Sequence, residues 1–188
     1  MRVLDVGCGP FKRPGAVGID ISHTSTADLI WDLNRYPYPL RESCFDLIVG
    51  NHIVEHVVDV FAFLRELHRV ARPGGFIRLL TPHYTNRYSF ADPSHRHHLS
   101  LASFDYFVRR TSQMLPTVLE RALEANYPVP DFYLDPLFEK VAAYLSFGRP
   151  FRLAGIAWLA NRFPNIYESY FAFLFPGRDL TFELRVIK

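Results

Sequence analysis

The stretch V-L-D-V-G-C-G-P, residues 3–10, constrains the fold of this chain more than any other. Its apolar residues predict a short buried strand, and Gly7 and Gly9 allow the chain to turn tightly beneath a ligand. A glycine turn of this kind places a small anionic or zwitterionic ligand at the carboxyl end of a parallel strand. Lys12 stands where a dinucleotide-binding loop has its third glycine. We therefore expect an α/β fold with a parallel sheet and a ligand other than a dinucleotide.

Further strands and one clear helix follow from the apolar pattern. Strands are predicted at 16–20, 29–31, 45–49 and 76–81. Asp59 has the position of a helix cap, and apolar residues recur after it with helical spacing as far as Val70. Segments 169–175 and 180–187 predict a β-hairpin, because apolar and polar side chains alternate in the second of them.

Composition narrows the class of protein. The 188 residues fit one domain, and a hydrophobic content of 49% is typical of a globular chain. A net charge of +2 does not indicate a nucleic-acid partner. Cys8 and Cys44 give no disulfide framework and suit a reducing, cytoplasmic location. No signal peptide is expected, since a core strand follows Met1, and charges interrupt the most apolar region, 141–175, so no membrane span is expected either.

Five motifs occur in the order found in a known enzyme family. They are L-D-V-G-C-G, G-I-D, W-D-L-N, F-D-L-I-V-G-N-H-I-V-E-H-V and L-R-E-L-H-R-V-A-R-P-G-G-F-I-R-L-L-T-P, and they span residues 3–82. In this succession the chain resembles the type 11 branch of the class I, Rossmann-like S-adenosylmethionine-dependent methyltransferases. The resemblance implies an α/β fold with a mostly parallel sheet and an antiparallel C-terminal hairpin strand. It also implies S-adenosyl-L-methionine as the cofactor and methyl transfer as the activity.

The chain departs from this family in its connections. Only residues 10–15 and 21–27 separate the first three strands, too few for the usual crossover helices. A mostly parallel sheet needs both faces covered, so we expect another element to cover one of them. Within a single domain, 1–188, residues 104–167 are predicted as a helical insert between strands five and six. Its helices are expected at 103–110, 116–125, 136–147 and 152–162.

Two covers for the bare face are open at this point. The insert can fold back over it, or a second copy of the chain can pack against it in a symmetric homodimer. We expect the dimer, with the insert helices contributing. The aromatic residues of the insert also suit a peripheral contact with a membrane surface.

The resemblance also implies a set of cofactor-binding residues. The matches of Asp5, Gly7 and Gly9 surround the methionine moiety in the family, and the match of Asp20 holds the ribose hydroxyls. The remaining predicted contacts are Asp32 and Leu33 for the adenine, Asn51 for the methionine amino group, and the neighbouring residues Cys8, Ile21 and His52. Asp32 can equally be a simple loop cap.

Histidines are the candidate catalytic residues. A base is needed only where the nucleophile must lose a proton, and histidine supplies one near neutral pH. We predict that His83 and His95 line the acceptor pocket and that one of them is the base; the alternative is that the histidines of 92–98 cap backbone groups. No metal is assigned, although His52, Glu55 and His56 have the spacing of a one-turn ligand cluster, to which His83 would be a fourth ligand.

Three functions compete. The leading prediction is methyl transfer to an O or N nucleophile of a small molecule, a sugar or a lipid-linked saccharide. The second is a metal-assisted RNA 2′-O-methyltransferase, which requires a basic groove that the composition does not supply. The third is a non-catalytic binding or assembly module with the nucleotide fold, and the intact glycine turn and Asp20 argue against it.

Overall fold

A seven-stranded sheet is the frame of the structure, a computed structural model that describes residues 1–109, 117–125 and 136–188. The strands are β1 (Val3–Val6), β2 (Val17–Asp20), β3 (Leu29–Ile30), β4 (Phe45–Asn51), β5 (Ala71–Pro82), β6 (Phe138–Leu145) and β7 (Asp179–Val186). Their order across the sheet is β3-β2-β1-β4-β5-β7-β6. The first five strands are parallel, and β7 runs antiparallel to both β5 and β6. The predicted Rossmann-like α/β sheet with its antiparallel C-terminal strand is confirmed.

Helices connect and follow the strands. They are α1 (Val60–Val70), α2 (Arg87–Ala91), α3 (Val118–Ala122), α4 (Arg149–Leu153), α5 (Ile156–Arg162) and α6 (Pro164–Ile166). A 3-10 turn spans Asp105–Phe107, and a π-helical turn spans Tyr167–Phe171. None of the helices in the described ranges is long and apolar enough to cross a lipid bilayer.

The main core lies between α1 and one face of the sheet. α1 begins at the predicted cap, where Asp59 Oδ1 accepts a hydrogen bond of 3.0 Å from the Ala62 amide. Its apolar stripe is fully buried at Phe63, Leu64, Leu67 and Val70. The sheet meets this stripe with the fully buried side chains of Leu4, Ile19, Ile48, Ile77, Leu79, Phe182 and Leu184. Burial of this apolar surface is the main stabilising contribution to the fold.

The opposite face of the sheet is partly open. Phe76 in β5 and Tyr144 in β6 are exposed to 44% and 40%, and ion pairs cross the strands between them. Arg78 pairs with Glu183 at 2.7 Å, and Arg185 pairs with Glu139. These aromatic and charged side chains lie at the β5–β7–β6 end of this face, whereas the missing crossover helices belong to the β3–β2–β1 end.

The short loop at 10–15 covers part of this face at β1. Val3, Ala16 and Val49 form a small buried cluster beside it. Among the bonds that fix the loop, the Arg13 amide donates to Asp5 Oδ2 at 2.7 Å, and Lys12 Nζ lies 2.7 Å from Asp28 Oδ2. Part of the cover expected from an insert or a partner therefore comes from the loop itself.

The predicted helical insert is wrong in two of its elements. Residues 136–147 were expected as a helix, but β6 occupies this segment and pairs along its length with β7. Residues 169–175 were expected as its partner strand, but they lie in the π-helical turn and the turns after it. The spacing of the apolar residues Phe138, Ala142 and Leu145 is compatible with a helix as well as with a strand. The segment forms a strand because it pairs with the free edge of β7. The outer bounds of the insert, 104–167, stay a prediction.

The other predicted helices of this region are shorter than expected. The helix at 152–162 is divided into α4 and α5 at Gly155, whose φ of +77° a helix interior does not accept. The segment 103–110 contains only the 3-10 turn in its described part, and 116–125 contains α3. Arg110 and Pro116, at their ends, lie outside the described residues.

A buried carboxylate ties α1 to the loop before β4. The helical pattern predicts Arg69 on the solvent side, yet it is half-buried and donates to both carboxylate oxygens of Glu66. Glu66 Oε1 also accepts a bond of 2.6 Å from the Tyr38 amide. The guanidinium of Arg69 completes the network by donating to the carbonyls of Tyr38 and Leu40. One ion pair thereby satisfies the backbone of a loop that has no regular structure.

We expect Glu66→Ala to lower the free energy of unfolding by about 2–4 kcal/mol, because it leaves the Tyr38 amide without its acceptor and the half-buried guanidinium of Arg69 without its carboxylate. Urea denaturation followed by circular dichroism measures the change. Glu183→Ala is the matched control, since its ion pair lies on the open face and is expected to contribute at most about 1 kcal/mol. Equal losses in the two variants would contradict the prediction.

Candidate active site

The two glycines after β1 have different surroundings. Both have positive φ, +66° at Gly7 and +51° at Gly9. A Cβ at Gly7 would lie 2.6 Å from Cγ1 of Ile53, so Gly7 is required by close packing inside the chain. A Cβ at Gly9 would meet nothing within 4 Å among the described residues. The open side of the turn, where a ligand can approach, is therefore at Gly9.

Asp20 joins the end of β2 to this turn. Its Oδ2 accepts a bond of 2.8 Å from the Gly9 amide, and its Oδ1 accepts one of 2.8 Å from the Ser22 amide. Each carboxylate oxygen has a second lone pair, so both remain able to accept from the two hydroxyls of a ribose. Ile21 is next to it and 64% exposed, which suits packing against a flat base. These residues fit the ribose end of S-adenosylmethionine.

Asp5 and Cys8 are buried beneath the turn. Asp5 accepts from the Arg13 amide, and its burial raises the pKa of its carboxyl. Burial likewise raises the pKa of the Cys8 thiol, whose sulfur would lie 2.9 Å from a Cβ at Gly18. In this structure both side chains hold the loop in shape, and their predicted ligand contacts stay predictions.

The segment after β3 lies beside Asp20, because the Trp31 amide donates to the Asp20 carbonyl at 2.8 Å. Asp32 Oδ1 accepts from the amide and the side-chain nitrogen of Asn34, so it does cap this loop. Leu33 is buried, and its carbonyl accepts from the Tyr38 hydroxyl at 3.0 Å. The loop is thus preformed where the adenine is expected, and its contact with the base stays a prediction.

At the carboxyl end of β4, Asn51 and His52 are exposed. His52 has a φ of +53°, and its amide donates to the Leu80 carbonyl at 2.7 Å. Its Nδ1 lies 3.3 Å from Glu55 Oε1, and this hydrogen bond raises the pKa of the imidazole. The strained turn directs the chain from β4 toward a neighbouring cleft.

That cleft, of about 720 Å³, opens where β4 and β5 end and β7 begins. Its wall includes His52, His56, Asn86, Tyr88, His95 and Arg178. Ile53, which follows His52 of the cleft wall, packs under Gly7, so this one residue connects the cleft with the glycine turn. A cofactor at the turn and an acceptor in the cleft would be neighbours, at the carboxyl edge of the sheet where α/β proteins bind ligands.

The two predicted catalytic histidines have different environments. His83 is fully buried and does not line the cleft. Its Nδ1 accepts from Thr85, and its Nε2 lies 3.1 Å from Glu168 Oε1, so both ring nitrogens are engaged inside the chain. His95 does line the cleft, and its Nδ1 donates to the Ser89 carbonyl at 3.1 Å. Of the two, His95 has the position expected of a group that meets an acceptor.

The remaining histidines of the 92–98 loop bond within the chain. His97 Nε2 donates to the Val57 carbonyl at 2.9 Å, and His98 Nδ1 lies 2.9 Å from Ser89 Oγ. The alternative, that histidines of this loop cap backbone groups, describes His97 and the Nδ1 of His95, whereas His98 bonds to a side chain. The contact between this loop and Glu55 was not predicted from the sequence. The Arg96 amide donates to the Glu55 carbonyl at 2.8 Å, and this bond places His95 beside His56.

Comparisons with known proteins agree with this geometry. Residues 4–79 match the family model described as "Methyltransferase domain". The ubiquinone biosynthesis O-methyltransferase of Rhodopseudomonas palustris (strain HaA2) is 32% identical over 100 residues, which are 43% of this chain and 40% of that protein. The mitochondrial enzyme of the same name from Rattus norvegicus is 34% identical over 110 residues, 45% of this chain and 32% of that protein. The chain spans about two fifths of the length of the curated relatives it matches.

Solved structures give the same fold over the whole chain. A SAM-dependent methyltransferase from Archaeoglobus fulgidus has a TM-score of 0.57 at 19% identity, covering 98% of this chain and 85% of the other. An S-adenosylmethionine-dependent methyltransferase from Mesorhizobium loti has a TM-score of 0.54 at 17% identity, covering 98% and 90%. At these identities the likeness shows the fold alone.

Residues 4–79 match the methyltransferase family model, and the sheet with its glycine turn has the fold of the class I, Rossmann-like S-adenosylmethionine-dependent methyltransferases, as the sequence motifs predict. This match implies S-adenosyl-L-methionine as the cofactor.

We expect Asp20→Ala to weaken binding of S-adenosylhomocysteine by about 10- to 100-fold. The variant removes the charged acceptor for the ribose and also releases the Gly9 amide, and each charge-assisted bond contributes about 1.5–3 kcal/mol. Calorimetric titration of the purified protein measures the affinity. Glu183→Ala, four strands away in the sheet, should bind as the unmodified protein does. Unchanged affinity in Asp20→Ala would exclude this residue from the cofactor site.

Proposed function

We propose that the chain transfers a methyl group from S-adenosylmethionine to a hydroxyl of a small molecule bound in the cleft. The observation that carries the proposal is the histidine-lined cleft at the carboxyl end of the strands, which Ile53 connects with the glycine turn. The names of the relatives, O-methyltransferases of ubiquinone biosynthesis, support oxygen as the nucleophile and a small molecule as the acceptor. Sugars and lipid-linked saccharides stay within the range of predicted acceptors, as does a nitrogen nucleophile.

The chain has to position two ligands. The cofactor, when bound, supplies a methyl group that its sulfonium already activates. Asp20 and the open side of Gly9 orient the nucleoside end, and the exposed end of β4 at Asn51 receives the amino-acid end. The cleft wall would hold the acceptor hydroxyl in line with the methyl group, and such positioning can supply much of the rate enhancement.

A hydroxyl acceptor must also lose its proton. Of the two histidines predicted for this role, we propose His95, since its Nδ1 is used by Ser89 and its Nε2 keeps a lone pair on the side of Glu55. His83 suits a structural role, because it joins the Thr85 loop to Glu168. A nucleic-acid acceptor is not proposed, since a net charge of +2 provides no excess of positive charge.

A screen of radiolabelled methyl transfer across phenols, sugars and lipid-linked saccharides tests the activity. With an accepted substrate, His95→Gln should lower kcat by about two to four orders of magnitude while affinity for S-adenosylhomocysteine is unchanged. His98→Gln is the matched control from the same loop and should retain kcat, because His98 does not line the cleft. Cofactor binding without transfer to any acceptor class would instead indicate the binding module.

A homodimer stays a prediction, and the open face of the sheet supports it. Phe76 and Tyr144 are exposed there beside cross-strand ion pairs, a mixture that a second copy can complement. Exposed apolar side chains between β6 and β7 suit the predicted contact with a membrane surface; they are Leu153, Trp158, Phe173 and Leu174. The cytoplasmic location also stays a prediction.

Light scattering at micromolar concentration should give the mass of a dimer for the unmodified chain and of a monomer for Phe76→Glu, which places a charge on the open face. Val118→Glu, at another exposed apolar position, should remain dimeric. A monomeric unmodified chain would show that the open face is not an interface between copies.

A further inference from the structure

Three side chains with metal-binding atoms converge at the wall of the cleft. Glu55, His56 and His95 each offer one ligand atom, and these atoms all lie within 4.8 Å of one another. In a tetrahedral zinc site the ligand atoms lie roughly 3.3 Å apart, so small side-chain rotations would bring the three into register. The cluster differs from the one suggested by spacing alone, since His95 takes the place considered for His83.

Glu55 carries an oxygen that requires a partner. Its side chain is 1% exposed, and its Oε2 has no hydrogen-bond partner among the described residues. Its Oε1 faces His52 Nδ1 at 3.3 Å and His95 Nε2 at 4.0 Å. A buried carboxylate oxygen without a donor is strongly unfavourable unless a cation meets it.

Both imidazoles are held with their lone pairs free. His95 Nδ1 donates to the Ser89 carbonyl, which leaves the lone pair on Nε2. His56 Nδ1 lies 3.0 Å from Ser94 Oγ, whose hydrogen is given to Asp92 Oδ1 at 2.6 Å. The serine oxygen must therefore accept from His56 Nδ1, and His56 also keeps its lone pair on Nε2. Metal-binding histidines typically have their second ring nitrogen bonded to an oxygen in this way.

We infer that Glu55, His56 and His95 bind a divalent transition-metal cation, with Zn²⁺ as the representative ion. Two neutral imidazoles and one carboxylate form a ligand set suited to such ions and less suited to Mg²⁺, which prefers oxygen ligands. Because His56 and His95 line the cleft, the remaining coordination position faces the acceptor. In this respect the inference rests on the proposed function. The cation would polarise the acceptor hydroxyl, whose proton would leave to solvent, and His95 would hold the cation through Nε2 in place of removing that proton as a base.

Calorimetric titration of chelator-stripped protein with ZnCl₂, without cofactor or acceptor, tests the site. We expect one Zn²⁺ per chain and weaker binding of MgCl₂. Glu55→Gln and His95→Gln should each weaken Zn²⁺ binding by more than 100-fold, and Ser94→Ala by about 10-fold, since it frees the His56 ring. His23→Gln, an exposed histidine on another loop, is the control and should bind Zn²⁺ as the unmodified protein does. Circular dichroism establishes that each variant is folded.

Absence of stoichiometric Zn²⁺ binding, or Glu55→Gln and His95→Gln proteins that bind as tightly as the control, would overturn the inference. So would tighter binding of Mg²⁺ than of Zn²⁺. The two proposals fail separately. Full methyl transfer by protein assayed with excess chelator would contradict the role of the cation and support the proposed activity. Zn²⁺ binding with no transfer to any acceptor would support the metal site and contradict the proposed activity.

Discussion

The bond between the Gly9 amide and the Asp20 carboxylate is the interaction on which the candidate site depends. It joins the ends of two adjacent parallel strands and holds the turn open at the side where a ligand can approach. The same carboxylate keeps lone pairs for that ligand, so one side chain shapes the turn and contributes to recognition. The loops after β3 and β4 then assemble around this fixed point, the first through the Asp20 carbonyl and the second through Ile53 beneath Gly7.

Local patterns were sufficient to predict the parallel half of the sheet. β1, β4 and α1 have strong apolar periodicity, a glycine turn and a capping aspartate, and each of these signals acts within a few residues. β6 could not be found in this way, because its pattern also suits a helix and the edge of β7 decides between the two. Arg69 was misplaced for a related reason: its acceptors, Glu66 and the carbonyls of Tyr38 and Leu40, belong partly to a loop with no pattern of its own.

The residues of the candidate site also differ in how far the sequence predicts their positions. Residues near the glycine turn follow from motifs, since Asp20, Gly9 and the Asp32 loop are contiguous with predicted strands. The histidines do not, because their role depends on which part of the 92–98 loop reaches Glu55. The hydrogen bond from the Arg96 amide to the Glu55 carbonyl determines which histidine of the loop lies near Glu55, and the spacing of residues in the sequence does not predict this bond. The presence of histidines predicted acid–base chemistry in this region. The tertiary structure then places His95 in the cleft and His83 in the interior.

The short connections between the first strands have a consequence for how the chain folds. β1, β2 and β3 all lie within the first 30 residues, so their parallel pairing closes much shorter loops than a sheet with crossover helices requires. Closing a short loop costs less chain entropy, and contacts between residues near in sequence form faster. Strands β1, β2 and β3, which flank the glycine turn, can thus pair early. β7 lies near the end of the chain and pairs between β5 and β6 only after almost all of the chain is available. We therefore expect the strands around the ligand-binding turn to pair first and β7 to pair last.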